Sequence, residues 1–443
     1  MPKILQNIFS ITNSQDKSLK IINICGHQIL INLMDKNIKL TQKNYQKQLK
    51  IFQTKIKTQK LKVLFLINEV SKWKTKSLYN LMKNSEEFEP IIALNIADWQ
   101  WELSLQDRIS VLNETEDYFK RNNIKYLIAY NKTSGKLIDL KKFKPDIVFY
   151  QQPYLYQKIH NPLNVSKFAL TYYMPYYVPN FWVPDLYWWK DFHRHLFRYY
   201  QPNEKWENYL KKYVNQNKKG NPNNILGIGH TMLDEFYFRK KEITPSNNYV
   251  IYAPHWSIKH EKNINEEYYS TFLYNHKEIL EYAKNHPEFN WVFKPHPTLK
   301  HTLIKTEIMT EQEVDAYYNE WAKIGQCCYD SNYVDLFLNS KALITDCGSF
   351  TIEYLVTNKP LIHLLSKDYK QEALDFVQQL YDTNYKIHNN SELFKTLDEV
   401  LVNNNDYLKE YREKVLSEQT WLNECAAEKI IEDIKQYCIK RRR

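Results

Sequence analysis

Short apolar runs that end in a polar residue, each followed by a stretch of helix length, recur along this 443-residue chain. A run that is apolar throughout is typical of a parallel strand buried on both faces. In the first half of the chain such runs occupy residues 62–68, 89–95, 124–130 and 146–150. Strands that alternate with amphipathic helices predict a doubly wound parallel sheet.

A second series of runs begins after the loop-like stretch at residues 219–224. Its predicted strands are 225–228, 248–253, 290–294, 342–345 and 360–364. Two such series predict an α/β protein with two Rossmann-like, doubly wound domains that face each other across a cleft.

These patterns divide the chain into four predicted parts. A basic N-terminal extension covers residues 1–61, a first Rossmann-like domain 62–222 and a second Rossmann-like domain 223–410. A C-terminal helix in residues 411–443 is expected to pack back on the N-terminal domain.

The whole net charge of +10 lies in residues 1–62, which contain twelve Lys and two Asp. Apolar residues at helical spacing, interleaved with lysines, predict a basic amphipathic helix within residues 41–60. Two interpretations stay open. The helix lies on an anionic membrane surface, or its apolar stripe docks on the following domain and its lysines are solvated. Nucleic acid is not an expected partner, because arginine is scarce and no groove-reading motif occurs.

Residues 172–200 contain thirteen aromatic side chains. They predict either packed core or a surface that contacts a membrane or an acceptor.

The remaining composition excludes several classes of protein. No window is apolar and long enough to cross a bilayer, and the N-terminus lacks the features of a signal peptide, so we expect a cytoplasmic protein that is at most peripheral on the membrane. The six cysteines are scattered and form no C-x-x-C pair. We therefore expect reduced thiols and no metal site.

Polar residues of the types that bind ligands or transfer protons follow the strands of the second half. Because ligands bind at the carboxyl ends of parallel strands, these residues are the site candidates. The residues predicted to bind the nucleotide and its phosphates are Gly229, His230, Asp234, Pro254, Lys294, Thr345, Asp346, Gly348, Ser349 and Glu353.

The loop from Thr345 to Glu353 has the features of a diphosphate site. Gly348 permits close backbone approach, and Ser349 is expected to cap a helix whose N-terminal N–H groups favour an anion. Glu353 either accepts hydrogen bonds from a ribose or complements the helix dipole. Asp346 is either a loop brace or a catalyst.

Two histidines, His296 and His255, are the predicted catalytic residues. His296 lies between two prolines, which fix their own φ angles and stiffen the loop. An ordinary imidazole pKa near ~6.5 suits proton removal from a hydroxyl, and Lys294 would balance phosphate charge. For His255 and His230, capping or hydrogen bonding within the core is the alternative.

Four motifs in order resemble those of the CDP-glycerol glycerophosphotransferases, which build teichoic acids and related surface polymers. They are Gly-x-x-x-x-Asp at 229–234, Tyr-Ala-Pro-x-Trp at 252–256, Pro-His-Pro at 295–297 and Thr-Asp-x-x-Ser-x-x-x-Glu at 345–353. The resemblance covers about residues 146–370. It implies a GT-B fold and transfer of phosphoglycerol from a CDP-activated donor to a hydroxyl of a cell-surface glycan or lipid-linked acceptor, with release of CMP. It implies that residues 62–222 form the acceptor domain and residues 223–410 the nucleotide-donor domain, and it implies no obligatory cofactor.

The resemblance also implies roles for particular residues. Thr345, Gly348 and Ser349 would hold the donor phosphates, and His296 corresponds to the family's second essential histidine. The chain departs from the family in two places. The family's Trp-His-Gly motif is replaced by Thr-Tyr-Tyr-Met-Pro-Tyr-Tyr at 171–177, and the family's usual Asp is Glu353 here.

Three other functions compete with this interpretation. They are a GT-B glycosyltransferase that uses a nucleotide sugar, a nucleotide-sugar epimerase of the same fold, and a catalytically inactive scaffold bound to the membrane. No Asp-x-Asp pair occurs in the chain, which weakens the case for a metal-dependent sugar transferase of the other common architecture.

Overall fold

The computed structural model describes residues 9–13, 19–24, 27–96, 98–153, 159–178, 192–217, 220–244, 246, 249–261, 268–329, 333–367 and 374–437. In chain order the strands are β1 (Phe9–Asn13), β2 (Leu19–Ile24), β3 (His27–Asn32), β4 (Leu61–Ile67), β5 (Phe88–Leu94), β6 (Tyr126–Ile128), β7 (Tyr130–Asn131), β8 (Lys136–Leu137), β9 (Ile147–Tyr150), β10 (Leu170–Tyr173), β11 (Arg198–Gln201), β12 (Ile225–Gly227), β13 (Tyr249–Ala253), β14 (Asn290–Phe293), β15 (Gln326–Cys327), β16 (Ser340–Thr345), β17 (Leu361–Leu364) and β18 (Tyr385–Ile387).

The α-helices, in the same order, are α1 (Leu33–Lys55), α2 (Lys76–Lys83), α3 (Leu105–Arg121), α4 (Pro162–Val165), α5 (Glu204–Asn217), α6 (Thr231–Glu242), α7 (Phe272–Asn285), α8 (Leu299–Lys305), α9 (Glu311–Ile324), α10 (Val334–Leu338), α11 (Phe350–Glu353), α12 (Asp375–Tyr381), α13 (Asn390–Leu397), α14 (Lys409–Ser417) and α15 (Ala426–Gln436).

Two parallel sheets form the body of the molecule. The first has seven strands in the order β12-β11-β10-β9-β4-β5-β6, and the second has six in the order β15-β14-β13-β16-β17-β18. Every strand pair in these two sheets is parallel. We call each sheet with its helices the first and the second lobe. The predicted α/β class with two Rossmann-like units is confirmed.

Both faces of each sheet are buried, which explains why the strands read as continuous apolar runs. Val63 and Phe65 of β4 pack in one core cluster, and Leu64 and Leu66 pack in another on the opposite face. The central strand of the second sheet, β13, divides its side chains between two clusters in the same way.

One predicted strand was assigned to the wrong sheet. The run at residues 225–228 was expected to open the second series, but β12 pairs with β11 at the edge of the first sheet. An apolar run of three or four residues carries no local signal for its partner, so long-range packing decides the pairing. Strands β10 and β11 were not predicted, and neither was the antiparallel sheet β1-β2-β3.

The described part of the aromatic segment is packed core. Tyr172, Tyr173, Phe192 and Tyr200 are buried, and stacked or edge-to-face rings join them to neighbouring strands. Residues 179–191 of this segment lie outside the described residues.

Helix α1 docks its apolar stripe on the first lobe. Tyr45 and Phe52 are buried, and the Gln48 amide donates to the Lys167 carbonyl at 2.8 Å. The exposed face of α1 carries Lys43, Lys47 and Lys50. The helix ends at Lys55, so Lys57 and Lys60, which were expected within it, are exposed in the turn that follows. In the described residues, no helix is long and apolar enough to cross a membrane.

Helix α6 joins the two lobes. Leu233 and Phe236 pack in the second-lobe core, whereas Tyr237 and Phe238 contact the first-lobe core. The C-terminal helix α15 returns to the first lobe, where its Ile430 is fully buried.

A buried carboxylate on α6 is hydrogen-bonded to α15 and to α2. Asp234 of α6 accepts hydrogen bonds from the N–H groups of Ala426 (2.7 Å) and Ala427 (2.9 Å) at the start of α15, and from the Ser77 hydroxyl of α2 (2.8 Å). The close approach also requires Gly229, whose φ is +112° and where a Cβ would lie 2.9 Å from the Ala426 Cβ.

The substitution Asp234→Ala removes three hydrogen bonds at this joint and leaves buried donors unpaired. We expect it to lower the free energy of unfolding by about 2–4 kcal/mol, measured by urea denaturation. Asp315→Ala is the control, because Asp315 is half exposed and forms a surface ion pair with Lys300. Equal stability losses in the two variants would contradict the assigned role.

Candidate functional site

Three loops of the second lobe meet at one edge of its sheet. They follow β14, β13 and β16, which are neighbours in the sheet order. The carboxyl ends of parallel strands lie at the same edge of a sheet. The loops therefore bring together Lys294 and His296 after β14, His255 after β13 and the segment 346–349 after β16. The sequence predicted this convergence from strand ends alone.

Asp346 braces two of these loops. One carboxylate oxygen accepts from the His255 backbone N–H at 2.6 Å, and the other accepts from the Thr271 backbone N–H at 2.6 Å and its hydroxyl at 3.1 Å. Burial raises the pKa of Asp346 to about 6, although the hydrogen bonds oppose this shift. Of the two roles left open for Asp346, these contacts favour the brace.

Thr345 and Pro254 add backbone links. The Thr345 hydroxyl donates to the Ala253 carbonyl at 2.7 Å and accepts from the Cys347 N–H at 3.0 Å. The Pro254 carbonyl accepts from the His296 N–H at 3.0 Å. The loops are thus cross-connected before any ligand binds.

His255 and His296 form a ring pair with centroids 5.2 Å apart. Thr298 N–H donates to His296 Nδ1 at 3.1 Å, and Ser257 N–H donates to His255 Nδ1 at 3.2 Å. A neutral imidazole whose Nδ1 accepts a hydrogen bond carries its proton on Nε2. Both rings therefore present an Nε2–H donor.

The pKa values of both histidines lie below the ordinary value. Burial, with the nearby charges of Lys72 and Lys294, lowers the pKa of His296 to about 4. Burial, with the adjacent His296, lowers the pKa of His255 well below 6.5. Desolvation disfavours the charged ring, so both imidazoles are uncharged near neutral pH, and the proton-removing role of the pair stays a prediction.

The serine loop differs from the expectation in one respect. Ser349 makes no side-chain capping bond to α11, which has only four residues, and its Oγ lies 3.4 Å from the Cys347 Sγ. The Gly348 carbonyl accepts from the Thr351 hydroxyl at 2.5 Å. The Ser349 hydroxyl thus forms no bond to the helix backbone.

Glu353 is buried and accepts a hydrogen bond from the Tyr333 hydroxyl. Burial raises the pKa of Glu353 to about 7, and the charge of Lys74 and the Tyr333 bond oppose the shift. Lys74 of the first lobe donates to the Tyr333 hydroxyl at 3.3 Å. A chain of Lys74, Tyr333 and Glu353 therefore crosses between the lobes.

Lys72 and Lys74 are site candidates that the sequence interpretation missed. The Gln151 amide oxygen, after β9, accepts from the Lys74 backbone N–H at 2.6 Å and holds their loop. Lys72 pairs with Glu69 at 2.8 Å. Both lysines follow β4, so the strand-end rule used for the second half would have found them. Tyr333 follows no predicted strand and had no such signal.

Gly229, His230 and Asp234 lie at the joint between the lobes. His230 Nδ1 accepts from the Met232 N–H at 3.3 Å, and His230 Nε2 lies 3.0 Å from the Tyr177 carbonyl. Burial lowers the pKa of His230 to about 4. Among the contacts described for the chain, none joins these three residues to the histidine pair. The contacts of His230 correspond to the capping alternative given for it.

The site thus combines cationic side chains with imidazole N–H donors around a glycine-containing loop. Lys72 faces it from the first lobe, and Lys294, His255 and His296 line it from the second. Such a set of donors suits a diphosphate, because it stabilises negative charge without a metal ion.

A protein-family model, CDP-glycerol:poly(glycerophosphate) glycerophosphotransferase, matches residues 209–436 of the chain. This range includes the three site loops and the joint residues. No curated protein sequence matches the chain significantly.

Solved structures show the same fold at low sequence identity. The complex of S. aureus MnaA with UDP is 12% identical, covers 86% of this chain and 99% of that chain, and has a TM-score of 0.52. A variant of the wall teichoic acid polymerase TagF is 12% identical, covers 91% and 98%, and has a TM-score of 0.51. A UDP-N-acetylglucosamine 2-epimerase is 12% identical, covers 87% and 98%, and has a TM-score of 0.51.

Asp346→Asn replaces one carboxylate oxygen that accepts a backbone hydrogen bond with an NH₂ group. This NH₂ group then faces a backbone N–H, and the hydrogen bond is lost. We expect the free energy of unfolding to fall by about 1–3 kcal/mol, measured by urea denaturation. Asp375→Asn, at an exposed position of α12, is the control and should change stability by less than about 0.5 kcal/mol. Unchanged stability of Asp346→Asn would remove the brace from the description of the site.

Proposed function

We propose that this chain, which belongs to the CDP-glycerol:poly(glycerophosphate) glycerophosphotransferase family, transfers a phosphoglycerol or similar polyol-phosphate unit from a CDP-activated donor. The acceptor is a hydroxyl of a cell-surface glycan or lipid-linked molecule, and CMP is the second product. The enzyme class follows from the family, whereas the donor polyol and the acceptor are part of the proposal.

One observation carries the proposal. His255 and His296 are neutral rings with an Nε2–H donor each, and their ring centroids are 5.2 Å apart. The pair lies beside Lys294 and next to the segment 346–349. A bound CDP donor would place its phosphates among these groups. The negative charge of the donor would then be met by ammonium and N–H groups held in position before binding.

The proposed step is an in-line displacement at the β-phosphorus. The acceptor oxygen forms a bond to this phosphorus, the bond to the bridging oxygen breaks, and CMP leaves with that electron pair. Phosphoryl transfer passes through a loose transition state, so positioning and charge stabilisation supply most of the rate enhancement. The acceptor hydroxyl loses its proton late in such a step, to solvent water, and CMP leaves as the anion.

Within this mechanism the histidines act as hydrogen-bond donors. To take a proton at Nε2, the imidazole would first have to carry its proton on Nδ1. That Nδ1–H would then point at the backbone N–H that donates to Nδ1, and the two hydrogens would repel each other. His296 and His255 are therefore proposed to hold phosphate oxygens, with Lys294 and Lys72 supplying positive charge.

The reaction is tested by phosphorus NMR of the protein with CDP-glycerol, CDP-ribitol and common nucleotide sugars, each with a surface-glycan acceptor. The proposal expects CMP and a new phosphodiester signal. A nucleoside diphosphate with a glycosidic product would instead identify a sugar transferase. Epimerisation of a nucleotide sugar without acceptor would identify an epimerase.

Paired substitutions separate a donor role for His296 from a base role. His296→Asn retains an oxygen that can accept from Thr298 N–H but lacks a donor at the Nε2 position, and we expect the rate of CMP release to fall about 10²–10³-fold. His296→Gln places an amide N–H near Nε2, so it should retain clearly more activity. His301→Asn, exposed on α8, is the control.

The pH dependence gives a second readout of the same role. Because the pKa of His296 is lowered to about 4, its ring stays neutral between about pH 8 and 6, so protonation of this ring should not lower the rate there. The profile is compared with that of Glu353→Gln, because Glu353 has a pKa of about 7 and titrates in the same range. A base with an ordinary pKa would lose activity across this range. Equal inactivation of the two variants, together with such a loss, would contradict the donor role.

We further propose that the exposed lysines of α1 attach the protein to anionic lipid. Because Tyr45 and Phe52 are buried against the first lobe, the attachment would depend on charge. Replacement of Lys43, Lys47 and Lys50 by Gln should weaken binding to vesicles that contain phosphatidylglycerol about 100-fold, measured by co-sedimentation at low salt, since each lysine near the surface contributes ~1 kcal/mol.

The control removes the same charge elsewhere on the first lobe. Its residues, each exposed and replaced by Gln, are Lys120, Lys125 and Lys141. Equal loss of binding in the two triple variants would show a dependence on net charge and refute a specific role for α1.

A further inference from the structure

Tyr333 lies where the two lobes approach each other, directly before α10 in the chain. Its ring packs against Phe350, the residue after Ser349 of the serine loop, with centroids 5.0 Å apart. The Lys294 ammonium group is 5.5 Å from the centroid of the Tyr333 ring, and the Lys74 ammonium group is 4.9 Å from it. One aromatic ring therefore contacts the serine loop and a cation from each lobe.

The Tyr333 hydroxyl has a partner in each lobe. It donates to the carboxylate of Glu353, at the end of α11 in the second lobe, and it accepts from Lys74 of the first lobe at 3.3 Å. Tyr333 is 8% exposed and Glu353 is 2% exposed, so little water competes for these bonds. The Tyr333 oxygen is thus an acceptor whose position is fixed by the second lobe.

Lys74 depends on such an acceptor for its position. A lysine ammonium group is a point charge on a flexible four-carbon stem, so it stays in one place only where other groups fix it. Within the described ranges Lys74 forms no direct ion pair, so its charge is available to an anion. Lys74 and Tyr333 also line a cavity of about 90 Å³ between the lobes, and this space is large enough for water or a small polar group.

We propose that Tyr333 is a positioning residue of the donor site, which holds the Lys74 ammonium group of the first lobe beside the donor phosphates. Glu353 acts through Tyr333, because it takes the hydroxyl proton into a hydrogen bond and leaves the oxygen lone pairs for Lys74. The inference rests on the proposed function, since it adds a third cation to Lys72 and Lys294 at the same diphosphate site. A cation held in place before binding stabilises phosphate charge without a further ordering cost.

Glu353 titrates near neutral pH. Burial raises its pKa to about 7, and the Lys74 charge and the Tyr333 bond oppose the shift. The ionised carboxylate, which predominates above about pH 7, attracts Lys74 and accepts more strongly from Tyr333 than the protonated acid does. The hold on Lys74 is therefore stronger at about pH 8 than at about pH 6.

Among the described residues, further titratable groups surround the chain of three residues. They are Cys347, His230, Glu235, Lys76 and Lys294. Burial raises the pKa of Cys347 to about 11 and lowers the pKa of His230 to about 4, so neither changes its charge between about pH 6 and 8. A Glu353 variant that cannot titrate separates the contribution of Glu353 from those of the remaining groups.

The experiment titrates the full-length protein with CDP-glycerol by isothermal titration calorimetry, without acceptor. Both phosphates of this probe are esterified, so it lacks the monoester group whose second pKa is ~6 and keeps its charge across the pH range. Tyr333→Phe keeps the ring and removes the hydroxyl, and Lys74→Met keeps an unbranched side chain and removes the charge. Tyr274→Phe and Lys83→Met, both at exposed positions, are the matched controls.

We expect the dissociation constant to rise about tenfold in Lys74→Met and several-fold in Tyr333→Phe, and to stay unchanged in the controls. The double variant should bind as weakly as Lys74→Met alone, because Tyr333 has no ammonium group left to hold. Independent contributions would multiply instead, so a double variant weakened by the product of the two factors would overturn the proposal. Wild-type affinity of Tyr333→Phe would overturn it as well.

A pH series tests the part assigned to Glu353. From about pH 8 to about pH 6 we expect the wild-type dissociation constant to rise several-fold, and that of Glu353→Gln to change less. Glu353→Asp, whose carboxylate is one methylene shorter, should bind at about pH 8 as Tyr333→Phe does. The same pH dependence in wild type and Glu353→Gln would refute the role of Glu353. Because Glu353 is buried, the urea midpoint of each variant is measured alongside, and Tyr333→Phe decides the outcome where a Glu353 variant does not fold.

The binding readout is independent of turnover. If Lys74 and Tyr333 are coupled in the binding of CDP-glycerol but no CMP is released with acceptor, the positioning role stands and the proposed transfer fails. If CMP is released and the two residues act independently, the proposed function stands and the positioning role fails. CDP-glycerol that does not bind the wild type would overturn the positioning role, and the phosphorus NMR experiment would then decide the function by itself.

Discussion

The buried carboxylate of Asp234 is the interaction on which the arrangement of the two lobes depends. It joins the shared helix α6 to α2 of the first lobe and to the start of the returning helix α15. A carboxylate in an apolar joint is stable only when its oxygens are hydrogen-bonded, so the three helices must keep this spacing. The strand ends of the two sheets therefore face each other across a defined gap.

Two groups of residues in that gap have different contacts. Asp346, Thr345 and Pro254 connect the loops of the second lobe to one another. His255 and His296 lie on the loops so fixed, and the backbone N–H bonds to their Nδ1 atoms leave the proton on Nε2. Asp346, Thr345 and Pro254 of these motifs thus have hydrogen-bond partners within the protein, and these bonds hold the loops in place.

The positions of most strands in the two parallel sheets could be predicted because burial on both faces leaves a local pattern in the sequence. β4, β5, β9, β13, β14, β16 and β17 lie within two residues of their predicted positions. β10 and β11 escaped prediction because tyrosines make up much of each strand, so neither strand is a continuous aliphatic run. The polar residues after the predicted strands were equally readable, which is why the site loops of the second lobe could be named in advance.

The sequence by itself determined the α/β class, the positions of the buried strands and the chemistry placed at their carboxyl ends, because each is a local pattern. Only the tertiary structure decided that β12 joins the first sheet, that Lys74 reaches Tyr333 and Glu353, and that both histidines are neutral N–H donors. These features depend on contacts between segments far apart in the chain and on the desolvation that packing produces. No local pattern carries that information.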